Sequence, residues 1–406
     1  MRRISVLSIV GVVALALAVS TATATDSAAT RTIRGDLTAG SGEKVGVENL
    51  AGSMRIVAGG GSRIEVVATV HAESDRLAGT LKLVEATGQH GERILRVEYP
   101  LDEITSYRYP GGGSSEGGWL GLFGGNSNTS TKYAGRSVRV SSSRGTELWA
   151  DIEIRVPSGA IDAYFRNVVG DITASDIDGD FLFDSGSGNV GLDRIRGKIR
   201  ADTGSGNIEA RELSGSFSGD TGSGDITLTG FIGESISCDT GSGDVEIREA
   251  EAESISGDTG SGSISIKEIK AETLTADTGS GGISVRGGML RYVNADTGSG
   301  SISIIADGIE KFRADTGSGD VTLETDGRAL RSVDVDTGSG DAELRMGSGV
   351  TFHAMAEQGS GKIRNGYEDA RAIIHDREVV GYRRGDEQVR ITFETGSGSL
   401  ILEPLR

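Results

Sequence analysis

One pentapeptide, Asp-Thr-Gly-Ser-Gly, constrains this chain more than any other feature, because it returns at a near-constant interval. Intact copies begin at Asp202, Asp220, Asp239, Asp258, Asp277, Asp296, Asp315 and Asp336, in steps of 18, 19, 19, 19, 19, 19 and 21 residues. Degenerate copies begin at Asp184, Glu357 and Glu394. A fixed period of this length, with strand-like alternation between copies, predicts that each copy is one winding of a stacked repeat.

The alternation defines columns. One apolar column holds Ile208, Ile226, Val245, Ile264, Ile283, Ile302 and Val321; a second, two residues on, holds Ala210, Leu228, Ile247, Ile266, Val285, Ile304 and Leu323. Between them, Glu209, Thr227, Glu246, Ser265, Ser284, Ser303 and Thr322 are expected to face water. Three positions before each Asp comes a large residue, in the series Ile199, Phe217, Ile236, Ile255, Leu274, Val293, Phe312 and Val333. The position just before the Asp is small in all but Val335: Ala201, Gly219, Cys238, Gly257, Ala276, Ala295 and Ala314. The predicted fold is therefore all-β, a parallel β-solenoid of about eleven coils with an N-terminal β cap, a rod roughly 50 Å long at a strand spacing of ~4.8 Å. Its flat interior leaves no ligand cavity.

The turn chemistry carries three expectations. The two glycines supply positive φ for a tight reversal. The Asp accepts hydrogen bonds from its own turn's amides, and Thr hydroxyls pair along the rod. Carboxylates stacked at ~4.8 Å repel by about 1 kcal/mol per neighbouring pair even when solvated, so each needs local donors or a cation.

Residues 1–24 read as a secretory signal: Arg2 and Arg3, the apolar run Ile4 to Val19, then Ala22-Thr23-Ala24, with the mature chain starting near Thr25. The flanks match the general secretory route better than the twin-arginine one, and no later stretch approaches the ~20 apolar residues of a membrane span. Residues 25–157 form an N-terminal β region with a Gly/Ser-rich insertion at 100–137, residues 158–361 the solenoid, and residues 362–406 the closing coils and C-terminal cap. The insertion contains Trp119, Leu120, Leu122 and Phe123, which either fold back to seal the stack or contact a partner.

The formal charge is −18, or −20 after removal of Arg2 and Arg3. That excludes nucleic acid and anionic lipid as natural partners and favours cationic groups or divalent ions. Cys238 is the single cysteine, so no internal disulfide forms; its place in the small column makes it a packing residue.

The segments Val45-Gly46-Val47-Glu48-Asn49-Leu50-Ala51-Gly52-Ser53 and Ala150-Asp151-Ile152-Glu153-Ile154-Arg155-Val156-Pro157-Ser158-Gly159, followed by serial Gly-Ser-Gly-Asp-Val coils, resemble the bacterial putative-adhesin family of β-strand-repeat proteins of unknown function. The resemblance implies a secreted or surface-exposed solenoid and brings no catalytic residues. The insertion at Gly111 to Gly125 departs from it.

Asp-Thr-Gly-Ser also looks like the motif of aspartic proteases, but these need two carboxylates converging on one cleft, whereas the repeat makes a straight row. Calcium is a closer rival, since Gly-Ser-Gly-Asp is similar to calcium-binding β-rolls. The second Asp, at Asp225, Asp244, Asp320 and Asp341, gives way to Asn207, Ser263, Gly282 and Ser301 elsewhere, so most coils lack a full ligand set. An ice-binding array of Ser and Thr is broken by Arg200, Arg313 and Glu246. His71, His90, His353 and His375 lack metal or triad spacing and read as surface residues. The expectation is an exported, non-enzymatic binding, adhesion or scaffolding module with no cofactor, or alternatively a calcium-binding solenoid or a polysaccharide-active β-helix enzyme. An uncapped end would also allow self-association.

Overall fold

A computed structural model describes residues 28–38, 42–88, 91–111, 128–159 and 161–405. The signal segment and Trp119, Leu120, Leu122 and Phe123 lie outside the described residues. The described chain is all-β, its strands joined almost throughout into one sheet, with a single short helix, Asp75–Ala78, capped by Ser74.

Five long strands occupy the middle: Ile208–Thr221, Ile226–Thr240, Val245–Thr259, Ile264–Thr278 and Ile283–Thr297. Each pairs in parallel with the next, placing Ile208 on Ile226, Val245, Ile264 and Ile283 in succession. Asp220, Asp239 and Asp258 likewise lie in adjacent layers. The predicted columns are buried, Val335 and Cys238 included. The residues expected to face water between the two apolar columns are instead half-buried, flanked by their equivalents above and below.

Each strand also bends at a corner the periodicity did not reveal. Its residue is Glu212, Gly230, Glu249, Glu268 or Gly287, all with φ between +50° and +76°. Beyond it runs a further inward column, Leu213, Phe231, Ala250 and Ile269. Burying an aliphatic or aromatic side chain contributes about 1.5–3 kcal/mol, but only once neighbouring windings cover it, so the corner is stable only within the stack.

At both ends, chain order departs from stack order. Lys44–Ala51 pairs in parallel with Asp162–Val169 on one side and with Arg93–Glu98 on the other. Met54–Gly59 lies between Ile172–Ser175 and Thr146–Pro157 in the same way. Residues 44–59 are thus the second rung, and the outermost rung is built from later residues. Its far side is covered by antiparallel strands, Lys82–Thr87 and Arg63–Ala72, with Ala29–Thr38 beyond. Tyr99, Tyr107 and Tyr133 fill this end, with ring centroids 5.3 and 5.8 Å apart and edge-on.

The C-terminal end mirrors this. Val389–Thr395 and Leu400–Pro404 insert between the winding of Ser332–Thr337 and Ala342–Met346 and that of Phe352–Gln358 and Ile363–Asn365. The closing coil expected at the tip is therefore one rung inside it. A hairpin, Arg371–His375 with Glu378–Arg384, lies antiparallel along Phe352 to Met355.

Candidate functional site

The turn edge is the most regular surface of the molecule. Asp184, Asp202, Asp220, Asp239, Asp258, Asp277, Asp296, Asp315 and Asp336 are register partners in one row, which Glu394 and then Glu357 continue. Toward the N-terminal end the same row reads Arg96, Glu48, Arg166, Asp184. Charges alternate there: Arg96 Nε lies 2.7 Å from Glu48, and Arg166 Nε lies 3.4 Å from Asp184, which also accepts from Tyr164 Oη at 2.7 Å. From Asp202 onward the signs no longer alternate.

Two turn expectations need correction. Among the described residues, no hydrogen bond or ion pair reaches the carboxylates of Asp202 to Asp336, so they do not hold their own turns. The threonines do. Thr259 Oγ1 accepts from Gly262 N at 3.0 Å and donates to Gly243 O of the preceding winding at 2.8 Å, and Thr221, Thr240, Thr278, Thr297 and Thr316 repeat the clamp. The hydroxyls pair along the rod through glycine backbone rather than with one another, because a fully buried hydroxyl needs both a donor and an acceptor. The available signal was strand alternation, which puts Thr240 on the same face as Ile236 and Cys238.

The glycines also serve another purpose than supposed. None of Gly222, Gly224, Gly241 and Gly243 has φ in the left-handed region. A Cβ on Gly243 would sit 2.0 Å from Gly224 O, so what the turn requires is close approach of successive backbones.

The position that suggested calcium has a structural partner. Asp244 N donates to Asp225 Oδ1 at 2.8 Å, Ser263 N to Asp244 Oδ1 at 2.7 Å, and Asp341 N to Asp320 Oδ1 at 2.9 Å. Asn207 takes the same part, accepting from Asp225 N at 3.0 Å, and Ser301 accepts from Asp320 N at 3.2 Å. Any short oxygen acceptor suffices, which accounts for the Asp, Asn and Ser variation. Among the described residues, no group of three or more His, Cys, Asp or Glu side chains is placed to hold a metal ion.

Crowding leaves an electrostatic mark. Partial burial, then the like charges of Asp184 and Asp220, raise the carboxyl pKa of Asp202. Asp258 is raised by burial and by Asp239 and Asp277, and Asp296 by burial and by Asp315 and Asp277. Burial pushes the Cys238 thiol up to about 12, an inert packing cysteine. The described histidines each face a carboxylate: His71 with Asp151 at 3.0 Å, His353 with Glu387 at 3.2 Å and His375 with Asp376 at 3.5 Å. His71 also stacks on Trp149, with ring centroids 5.1 Å apart. Among the described residues no helix is long and apolar enough to cross a membrane.

No curated protein matches this chain. Two solved structures are similar to it. One, described as a putative cell adhesion protein from Clostridium sporogenes ATCC 15579, is 8% identical, with 93% of this chain and 100% of that chain covered and a TM-score of 0.17. The other, described as a putative lipid binding protein from Parabacteroides distasonis ATCC 8503, is 13% identical, with coverage of 92% and 96% and a TM-score of 0.30. At such TM-scores neither likeness bears on fold or function. The resemblance read from the repeat has a family match beside it: residues 233–399 are similar to the family described as Toastrack DUF4097, a family of unknown function.

Proposed function

We propose that this chain is an exported, non-enzymatic scaffold that presents a rigid row of carboxylates to a cationic partner at the cell envelope or surface. About eleven sequence coils form the rod, the N-terminal strands act as its cap, and no cofactor takes part. One observation carries the reading: the acidic row from Asp202 through Asp336 to Glu394 and Glu357 is held in register and, among the described residues, its Asp202 to Asp336 members have no ion-pair partner. Like charges at ~4.8 Å cost stability, and a partner carrying cations at matching intervals converts that cost into affinity through many weak contacts.

The turn itself fixes the row. Because Thr and Gly close each winding, the Asp side chain is free to point outward without loosening the coil. The direct test is binding of the purified mature chain to isolated cell envelopes over a range of salt, against a variant carrying Asp239→Asn, Asp258→Asn, Asp277→Asn and Asp296→Asn. At least a tenfold weaker, less salt-dependent interaction is expected for the variant; equal binding by both would remove the proposal. For export, N-terminal sequencing of the protein from fractionated cells is expected to begin near Thr25. A cytosolic product still starting at Met1 contradicts it.

A further inference from the structure

Four large apolar side chains stand exposed among the described residues: Ile232 at 70%, Ile374 at 66%, Met289 at 59% and Met355 at 38%. They fall in two places, and those places differ in charge. Ile232 and Met289 share a register row beside an open groove of about 510 Å³, floored by small residues of successive windings such as Gly233, Ala252 and Ala271. Its lining holds four carboxylates, Glu251, Glu253, Glu272 and Glu310, against two cations. Both cations are already engaged, Lys270 with Glu251 at 2.6 Å and Arg291 with Glu272 and Glu310 at 2.9 and 3.0 Å. The groove is therefore acidic with apolar shoulders.

Ile374 and Met355 belong to the opposite kind of surface, Ile374 on the C-terminal hairpin and Met355 on the strand Phe352–Gln358 paired with it. Arg371 and Arg383 face each other directly across it, and Arg377 is at its tip. All three are exposed. Like charges directly opposite on a strand pair are destabilising, and among the described residues neither Arg371 nor Arg383 has an ion-pair partner. An isolated chain carries that cost unrelieved, while a carboxylate surface removes it.

We propose that the hairpin of one copy docks in the groove of a second copy. The dimensions agree: the five-residue strand Arg371–His375 is roughly 17 Å long, and three strand steps from Gly233 to Leu290 span about 14 Å. A chain cannot fill its own groove, because the windings of Lys311–Thr316, Ser332–Thr337 and Val389–Thr395 stand between groove and hairpin. The contact joins two different surfaces and does not close on itself, so assembly grows with concentration. This inference is independent of the carboxylate row, and either can fail alone.

Sedimentation velocity of the mature chain, at low and high salt over a wide concentration range, is the test. Species larger than a monomer are expected at low salt, shifting at least tenfold toward monomer at high salt. A groove variant, Glu253→Arg, and a hairpin variant, Ile374→Ser with Arg383→Ala, are each expected to be monomeric alone. Mixed together they retain one intact hairpin and one intact groove, so the mixture is expected to stop at dimers, which also demonstrates that both variants are folded. A wild type that is monomeric throughout overturns the proposal, as do oligomers that survive both variants. A monomeric chain whose hairpin variant instead loses binding to anionic phospholipid vesicles assigns the hairpin to a membrane and overturns it too.

Discussion

The windings between Arg196 and Met346 and the rungs at the two ends share one pairing register but not one chain order. In the middle, each winding pairs with the next in sequence, so register is set by a period of about 19 residues. At the ends, residues 44–59 and 389–404 slide in as second rungs, and the outermost rungs come from residues nearer the middle of the chain. The difference reflects two physical problems. An interior winding has a neighbour on each face and needs only to match it. An end winding exposes unpaired backbone and an uncovered apolar core, and these ends solve that by locking an earlier or later segment of chain inside and covering the outer edge with antiparallel strands. Fraying from the C-terminal side must therefore begin by extracting a strand paired on both sides, whereas among the described residues Ala29–Thr38 pairs only with Arg63–Ala72.

The sharpest way to break this comparison is to remove residues 389–406. Ile391, Phe393, Leu400 and Leu402 are all at most 1% exposed, and loss of their burial should cost about 8 kcal/mol, an upper estimate. Limited proteolysis should then cut within 352–388 at a far higher rate than in the intact protein. By contrast, deleting one middle winding, residues 259–277, joins Asp258 to Thr278 and preserves the repeat. A loss of only about 2 kcal/mol by urea titration is expected, because the flanking windings can pair in the same register. If the two deletions cost the same, the distinction between middle and ends is wrong.

Within the middle, Gly243→Ala should cost about 3 kcal/mol, since its methyl would overlap Gly224 O. A chemical denaturation midpoint measures it directly. Thr259→Val keeps shape but strands Gly262 N and removes the donor to Gly243 O, for about 2 kcal/mol. The same change at Thr395, in the inserted end rung and only partly buried, should cost about 1 kcal/mol, since the one clamp bond formed there is from Gly398 N at 2.9 Å.

The smallest effect comes from the acidic row. Asp258→Asn removes like-charge repulsion on an exposed edge and should stabilise by roughly 0.5 kcal/mol, less in high salt. The pH dependence has a defined sign. Because Asp202, Asp258 and Asp296 have raised carboxyl pKa values in the folded chain, the folded state holds protons more tightly there than the unfolded one. Their contribution favours folding as pH falls toward the ordinary Asp range and opposes it as pH rises past the raised values. Asp151 behaves oppositely: burial raises its pKa, but hydrogen bonds from His71 and Ser53 outweigh that and lower it, so its contribution is lost as pH falls below the ordinary Asp value. A thermal melt should therefore gain stability from pH 7 to about 4.5 and lose it below about 3.5. A flat profile over the first interval would contradict the row's unneutralised state.

Much of the fold was legible because a solenoid is nearly one-dimensional. The positions of Ile226, Ile236 and Cys238 relative to Asp239 already place every inward column, since a strand alternates its faces and a fixed period repeats them. The candidate site was legible as a row of residues but not in its chemistry. Asp239 and Thr240 are adjacent polar residues in the same turn, and although alternation from Cys238 turns Thr240 inward, which of the two holds the turn depends on the backbone of the neighbouring winding. The corner at Glu249 was hidden because a positive φ at Glu contradicts local preference and is imposed by the windings above and below. The Ile374 hairpin and the Glu253 groove were likewise invisible, because neither follows the period.

Sequence alone determined that the chain winds in equal turns, which side chains go inward and that one edge is acidic, because these follow from periodicity and strand alternation. Only the tertiary structure decided that Thr rather than Asp clamps each turn, that glycine is required by backbone approach rather than by positive φ, and that residues 44–59 and 389–404 lie one rung inside the ends. Those three depend on contacts between residues 15 or more positions apart, as in Thr221 with Gly206, or on pairing across 58, as in Ser399 with Asp341. The free energy of such contacts exists only once the stack has formed, so a local pattern cannot encode them.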